Sequence, residues 1–340
     1  MKGRTEKNIK AQVRQNPTLR DLHRTILKDL EEVENELKTF SASKNKIISD
    51  INSYLFQKSG KRIRPSLLIL CSKLMDYKGK EHILMGCLVE TIHTASLIHD
   101  DIIDNSDTRR GKESVHEKWG PNITVLMGDY LYIKTIGLSL KSQHKQIVQI
   151  ITDTSARMIE GELNEYSLSG NLDMGEDDYL DTINKKTASL FSASCRIGGV
   201  LGKASLKEEK TLEEIGTNLG MSFQIIDDLL DFTGDEKTLG KPILSDLRER
   251  RITLPLIYTL KNDGRANRKR VGALLKRDGF SEESLQEILD IIRYNGALDY
   301  TFQKAEEFSR KTKKLIYQFS PSPYRDALSL FADYILCRKK

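Results

Sequence analysis

The chain has 340 residues, and its 54 lysines and arginines exceed its 49 aspartates and glutamates by enough to give a net charge of +5. Charged residues make up 30%, aromatic residues 7%, and only 7 prolines occur, which favours helices and argues against an all-β fold. No basic stripe alternates with aromatic residues, so nucleic-acid binding is not indicated. No apolar run approaches about 18 residues, so we expect no membrane-spanning helix.

Apolar residues recur at helical spacing from about Leu19 onward. We predict helices, in chain order, over Leu22–Leu37, Ser66–Met75, Ile83–Asp104, Asn122–Lys141, Gln146–Leu168, Tyr179–Leu201, Lys207–Phe232, Arg251–Leu260, Ser281–Arg293, Leu298–Tyr317 and Ser322–Cys337. The four cysteines are scattered without a CxxC pair, which is typical of reduced thiols in a cytoplasmic protein and offers no zinc site.

No linker, low-complexity stretch or internal repeat divides the predicted helices. We therefore expect an all-α fold, a single-domain helical bundle around a central cavity, over residues 19–340. Residues 1–18 are basic with one acid, Glu6, and we predict that they form a mobile extension. Peripheral contact with a membrane is left open.

Two acidic segments of the same form, Asp100–Asp104 and Asp227–Asp231, each follow an apolar stretch. On a helix, residues i and i+4 share a face, so the first and last aspartates of each motif project together. Like charges beside apolar surface are unfavourable, and a hard cation with oxygen ligands offsets that cost best. The two motifs therefore predict several Mg²⁺ ions that face one cavity and share a diphosphate. A solvated acidic face is the alternative for either motif alone, but such a face normally interleaves its acids with lysine, glutamate or glutamine.

Basic residues cluster at four places along the chain: Gly60–Pro65, Arg109–Gly111, Asn184–Thr187 and Gly240–Pro242. Arginine is a permanently charged, planar donor that suits phosphate oxygens, and helix N-termini also favour anions. Each cluster alone is equally consistent with a solvated surface.

Two further polar residues accompany the acidic motifs. His93 lies two turns before Asp100 on the same helical stripe, where a phosphate contact and a satisfied core histidine are equally good interpretations. Gln224 lies one turn before Asp227 and serves either as a buried hydrogen-bond partner or as an amide oxygen directed at a developing cation.

Taken in order, these motifs resemble those of the trans-isoprenyl diphosphate synthases, the polyprenyl synthetase family. The resemblance runs from about Leu19 to the C-terminus, and the combined motifs are highly specific. The segments that carry it are Gly60–Pro65, His93–Asp104, Arg109–Gly111, Lys186–Thr187, Phe223–Asp231 and Gly240–Pro242. One departure is Arg250-Arg251, where the family often has Gly-Lys.

The resemblance implies an Mg²⁺-dependent transferase that condenses isopentenyl diphosphate head-to-tail with an allylic diphosphate, farnesyl or geranylgeranyl diphosphate. It implies that the metal ligands are Asp100, Asp104, Asp227 and, completing the second set, Asp231, with Asp101 and Asp228 in support. The allylic diphosphate would be held by Arg109, Lys186 and Lys241, and isopentenyl diphosphate by Lys61, Arg64, His93 and Arg110. The carbocation would be faced by Thr187 and Gln224. It also implies a homodimer, and a heteromeric partner is the alternative.

Product length in the family depends on the residues four and five positions before the first aspartate, where bulky aromatics give short products. Here those residues are Ser96 and Ala95, both small. We therefore expect a medium- or long-chain all-trans product, as from a heptaprenyl, octaprenyl or solanesyl diphosphate synthase, for use as a quinone side-chain precursor.

Three other functions compete with this one. A phosphohydrolase would use His93 and His99-Asp100 as metal ligands but leaves the second acidic motif unexplained. A non-catalytic subunit of a heteromeric synthase should lack a motif, whereas all are present. A terpene cyclase usually carries a different second metal motif.

Overall fold

The computed structural model describes residues 17–40, 43–57, 60–109, 111–234, 243–262, 264–275 and 281–338. Their elements are, in order, α1 (Leu19–His23), α2 (Leu27–Phe40), α3 (Lys46–Phe56), α4 (Ile63–Leu74), α5 (Glu81–Ile103), β1 (Thr108–Arg109), β2 (Lys112–Glu113), α6 (Val115–Trp119), α7 (Pro121–Ser139), α8 (Lys145–Leu168), α9 (Glu176–Ile183), a π-helical turn (Asn184–Ala188), α10 (Ser189–Leu201), α11 (Leu206–Thr233), α12 (Ser245–Arg248), α13 (Leu254–Asn262), α14 (Gly264–Leu275), α15 (Glu282–Tyr294), α16 (Ala297–Ile316) and α17 (Pro323–Cys337).

The predicted all-α, single-domain bundle is confirmed, with one two-stranded antiparallel hairpin as the described β-structure. Among the described residues, no helix is long and apolar enough to cross a membrane. The predicted extension over residues 1–18 lies almost entirely outside the described part of the chain, and it stays a prediction. The helix α1 begins at Leu19 and is capped by the Thr18 side chain, and the domain boundary at residue 19 stays a prediction as well.

Several predicted helices differ from the structure in continuity. The first one is broken into α1 and α2, and the one predicted over Tyr179–Leu201 is interrupted by the π-helical turn. The sequence analysis missed α3, α6, α12 and α14, of which α6 and α12 have only five and four residues. Segments this short leave too few positions for a helical period to stand out.

The longest helix, α11, lies at the centre of the bundle and packs against α10, the π-helical turn and α16. On the other side, α5 packs against α2, α4 and α7, while α8 packs against α10 and the π-helical turn. The ends of α5 and α11 carry the two acidic motifs, so this packing directs both motifs toward the space between α5, α8 and α11.

The π-helical turn fits into the bundle because glycines face it from both sides. A Cβ atom on Gly161 of α8 would lie 2.3 Å from the backbone nitrogen of Lys186, and one on Gly220 of α11 would lie 2.5 Å from Cα of Ala188. These distances are too short for any side chain, so the two glycines set how closely α8 and α11 approach the turn.

We expect Gly161→Ala to lower the free energy of unfolding by about 1–2 kcal/mol, because the strain of an overpacked contact outweighs the helix propensity gained. Urea unfolding followed by circular dichroism measures this change. The control is Glu160→Ala on the same helix, where an exposed side chain is removed and the change should stay within about 0.5 kcal/mol. Equal stability of the two variants would show that the close approach of α8 is not required.

Candidate active site

The first acidic motif forms the C-terminal end of α5, beside a cavity of about 400 Å³. Asp100 lines this cavity, and Asp104 caps the helix through its backbone N–H, which donates to the Asp100 carbonyl at 2.8 Å. Burial raises the pKa of Asp100 to about 7, and the negative charges of Glu162 and Asp104 reinforce this against the nearby Lys186 ammonium. The carboxylate therefore needs a further cation to be fully ionised at neutral pH.

The second acidic motif contributes Asp227 to the same cavity, from α11. The neighbouring Asp228 is buried and accepts hydrogen bonds from the Tyr179 hydroxyl at 2.6 Å and from Gln224 Nε2 at 2.8 Å. Burial, together with the charge of Asp246, raises the pKa of Asp228 to about 8 despite these two donors. Both motifs thus hold carboxyl groups whose ionisation the protein alone does not favour.

Asp231 has a different environment from the other predicted metal ligands. Its carboxylate accepts hydrogen bonds from Ser245 Oγ at 2.7 Å and from the backbone N–H of Asp246 at 3.1 Å. It is buried and does not line the cavity that holds Asp100 and Asp227. In this structure Asp231 fixes the start of α12.

The π-helical turn places Lys186 and Thr187 on the cavity wall. Lys186 Nζ lies 2.8 Å from Glu162 Oε2 and also pairs with Glu165. Burial alone would lower the pKa of this lysine, but the two glutamates raise it above its ordinary value. Thr187 Oγ1 donates to Gln224 Oε1 at 2.7 Å, so the two residues predicted to face a carbocation are joined to each other. A π-helical turn at a cluster of polar residues is a frequent feature of functional sites.

The predicted residues for isopentenyl diphosphate are brought together in part. Arg64 and His93 line the cavity, with the Arg64 guanidinium 4.8 Å from the centre of the Phe191 ring. Lys61 lies two residues before α4. Arg110 lies outside the described residues.

Of the two other cations predicted for the allylic diphosphate, the structure describes Arg109 but not Lys241. Arg109 donates from Nε to Asp101 Oδ1 at 2.6 Å and therefore supports the first motif directly. Gly111, with φ of 72°, follows the predicted arginine pair and allows the tight turn of the hairpin. Lys241 lies outside the described residues.

Only one of the two residues predicted to set product length lines the cavity. Ser96 does so, together with Tyr132 of α7 and Met158 of α8. Ala95 is fully buried on another face of α5, in a core cluster with Ile98. Met158 belongs to the core cluster that joins α5, α8 and α10, and Tyr132 packs against the same cluster, so both connect the cavity wall to the core.

Four charged residues of the site were missed in the sequence analysis. Glu162 and Glu165 of α8 hold Lys186, and Arg251 pairs with Asp104 at 3.2 Å and with Asp246 at 3.3 Å. Arg338 pairs with Asp227 and was not identified at all. The spacing of the two glutamates, three residues apart on one face of α8, was an available signal. The Arg251–Asp104 and Arg338–Asp227 pairs join residues distant in sequence, and no local pattern marks them.

The donors of this site fit a hard divalent cation, since they are carboxylate oxygens whose ionised form is unfavourable without one. Among the described residues, no group of three or more histidine, cysteine or acidic side chains converges on one point.

Comparison with known proteins gives a consistent result. Residues 45–292 match the sequence profile of the polyprenyl synthetase family. Octaprenyl diphosphate synthase from Escherichia coli (strain K12) is 32% identical over 282 residues, which cover 83% of this chain and 87% of that protein. Heptaprenyl diphosphate synthase component 2 from Bacillus subtilis (strain 168) is 32% identical over 311 residues, with coverage of 92% and 88%.

A solved structure extends the likeness to the fold. Polyprenyl synthase from Caulobacter crescentus CB15, crystallised with calcium and isoprenyl diphosphate, is 30% identical and superposes with a TM-score of 0.92. The match covers 96% of this chain and 100% of that one.

Proposed function

The chain belongs to the polyprenyl synthetase family, as its motifs predicted, and we propose that it extends an allylic diphosphate with isopentenyl diphosphate to a medium- or long-chain all-trans polyprenyl diphosphate. It is a prenyltransferase. The observation that carries the proposal is that Asp100, Asp227, Lys186 and Gln224, from three separate parts of the chain, line one cavity. The names of the octaprenyl and heptaprenyl relatives support the product class, and we propose that the product serves as a quinone side-chain precursor.

In this proposal Asp100, Asp104 and Asp227 hold Mg²⁺, and Asp231 acts through the position of α12. The calcium and isoprenyl diphosphate bound to the Caulobacter relative support a divalent cation with a diphosphate. Bound Mg²⁺ would neutralise charge on the departing pyrophosphate. Lys186 lies at the same wall and adds a fixed positive charge toward that group.

The remaining cavity residues would control the two organic substrates. Arg64 and His93, with Lys61 and Arg110, would hold isopentenyl diphosphate, while Arg109 and Lys241 would join Lys186 on the allylic diphosphate. The joined Thr187–Gln224 pair would present oxygens to the carbocation. Apolar residues of the cavity wall, such as Leu97 and Phe223, would limit the access of water to it.

A phosphohydrolase is poorly supported. Nε2 of His99 lies 3.2 Å from the Val125 carbonyl oxygen, and the ring stacks on Tyr132 at 6.0 Å, which gives His99 a structural role in holding α7 to α5. A catalytic subunit of a heteromeric synthase remains a second candidate, because one relative is called component 2.

We also propose a cytoplasmic homodimer that joins through α7. Leu126 and Ile133 of this helix, and Leu140 directly after it, lie at intervals of seven residues and are 68%, 68% and 67% exposed, although such residues are usually buried. Ile159 and Leu163 of α8 are exposed as well and also line the catalytic cavity. A second copy over this apolar surface would bury it and close the side of the cavity.

Purified protein with Mg²⁺, farnesyl diphosphate and labelled isopentenyl diphosphate should form a product longer than 20 carbons, read by chromatography after dephosphorylation. We expect Asp227→Asn to lower the rate about 100-fold or more, because a metal that neutralises the negative charge on the departing pyrophosphate would lose a ligand. The matched control is Asp153→Asn, an exposed aspartate of α8 that should leave the rate within twofold of wild type. The proposal would be contradicted if the wild-type activity persisted after a chelator had removed the Mg²⁺, or if Asp227→Asn were fully active.

Ser96→Phe should shorten the product, because an aromatic ring at this wall blocks the cavity one turn below Asp100. Ser96→Ala is the size control, since it removes only the hydroxyl that donates to the His93 carbonyl, and it should leave the product unchanged. Product chain length under identical substrate concentrations is the readout. An unchanged length in Ser96→Phe would mean that the growing chain does not pass this residue.

Ile133→Glu should convert the dimer to monomer, because a buried unpaired carboxylate is costly at an apolar interface. Sedimentation velocity at micromolar protein measures the change. Leu206→Glu is the control, since Leu206 is also highly exposed but lies at the start of α11. A wild-type monomer, or a dimer that persists in Ile133→Glu, would rule out this interface.

A further inference from the structure

Arg338 directly follows α17, and its side chain reaches back to the second acidic motif. Only 5% of the side chain is exposed, and its Nη2 donates to Asp227 Oδ1 at 2.7 Å. The guanidinium also lies 3.9 Å from the centre of the Phe223 ring. An arginine buried in this way is held at a defined place by a charge-assisted hydrogen bond and a cation–π contact.

The ring beneath Arg338 belongs to the catalytic cavity. Phe223 lines the cavity together with Asp227 and Arg64. Its ring centre lies 5.1 Å from that of Phe191, and Phe191 in turn lies under the Arg64 guanidinium. The two arginines therefore occupy opposite ends of an aromatic pair, and both are next to the space where the substrates react.

We propose that Arg338 is an internal counter-ion that occupies Asp227 until a metal–diphosphate complex binds, and then turns its guanidinium to the diphosphate. This inference rests on the function proposed above. The Asp227 carboxylate accepts from the guanidinium and would also hold the metal, so a divalent cation that arrives alone would meet a positive charge and compete with a strong hydrogen bond. A diphosphate gives the displaced guanidinium a new partner, because its planar fork matches phosphate oxygens.

The alternative is that Arg338 only fastens α17 to α11. The two roles predict opposite effects of removing Arg338 on the affinity for a cation alone. A counter-ion weakens the binding of a cation alone and strengthens the binding of the diphosphate. A fastening contact, when removed, weakens both by disturbing the site.

The test compares wild type, Arg338→Gln and Arg338→Lys in two titrations. The first measures Mn²⁺ alone by electron paramagnetic resonance, and the second measures pyrophosphate at saturating Mn²⁺ by calorimetry. We expect Mn²⁺ to bind Arg338→Gln at least about threefold more tightly than wild type. Pyrophosphate should bind the same variant about tenfold more weakly, which is the loss of one hydrogen bond to a charged group.

Two variants keep this comparison interpretable. Arg338→Lys retains the charge without the fork, so its Mn²⁺ affinity should equal that of wild type while its pyrophosphate affinity falls. Arg325→Gln removes an arginine at the start of α17 that pairs with the exposed Asp326, and it should change neither affinity.

Unchanged or weaker Mn²⁺ binding in Arg338→Gln would overturn the proposal, as would unchanged pyrophosphate binding. Failure of the proposed function has a different signature. In that case wild type would bind neither Mn²⁺ nor pyrophosphate, or Asp100→Asn would bind both as well as wild type does.

Discussion

The structure depends on the neutralisation of many carboxylates at one end of a helical bundle. Buried acids in a low-dielectric interior are costly unless each has a cation or hydrogen-bond donors. Lys186 lies between Glu162 and Glu165, and Arg251 joins Asp104 to Asp246. These cations come from the π-helical turn and from the segment that follows α12, so the charge balance connects parts of the chain that are distant in sequence.

This charge balance explains local features that would otherwise be unfavourable. The π-helical turn interrupts a long helix, yet it brings Lys186 to the glutamates of α8 and Thr187 to Gln224 of α11. Gly161 permits the approach, since any side chain there would meet the backbone of Lys186. Arg250 adopts a left-handed conformation, with φ of 59°, immediately before the arginine that reaches Asp104. Backbone strain at such a position persists when the surrounding contacts compensate for it.

The sequence predicted the fold class and most long helices because their apolar spacing is regular over many turns. The i, i+4 spacing of the aspartates marked both acidic motifs, whereas Lys186 was singled out through the family resemblance; the structure places Asp100, Asp227 and Lys186 on one cavity wall. It did not distinguish Ser96 from Ala95, because both are small and only the packing of α5 decides which faces the cavity. Arg338 could not be found in this way, since no local periodicity relates it to Asp227.

The internal cations bear on the order in which ligands bind to the proposed enzyme. Asp227 and Asp104 already have arginine partners, and Asp100 lies near Lys186. A divalent cation that binds alone adds positive charge to a site whose acids are partly neutralised, whereas a metal–diphosphate complex adds little net charge and offers its oxygens to the displaced arginines. Electrostatics therefore favours joint binding of metal and diphosphate.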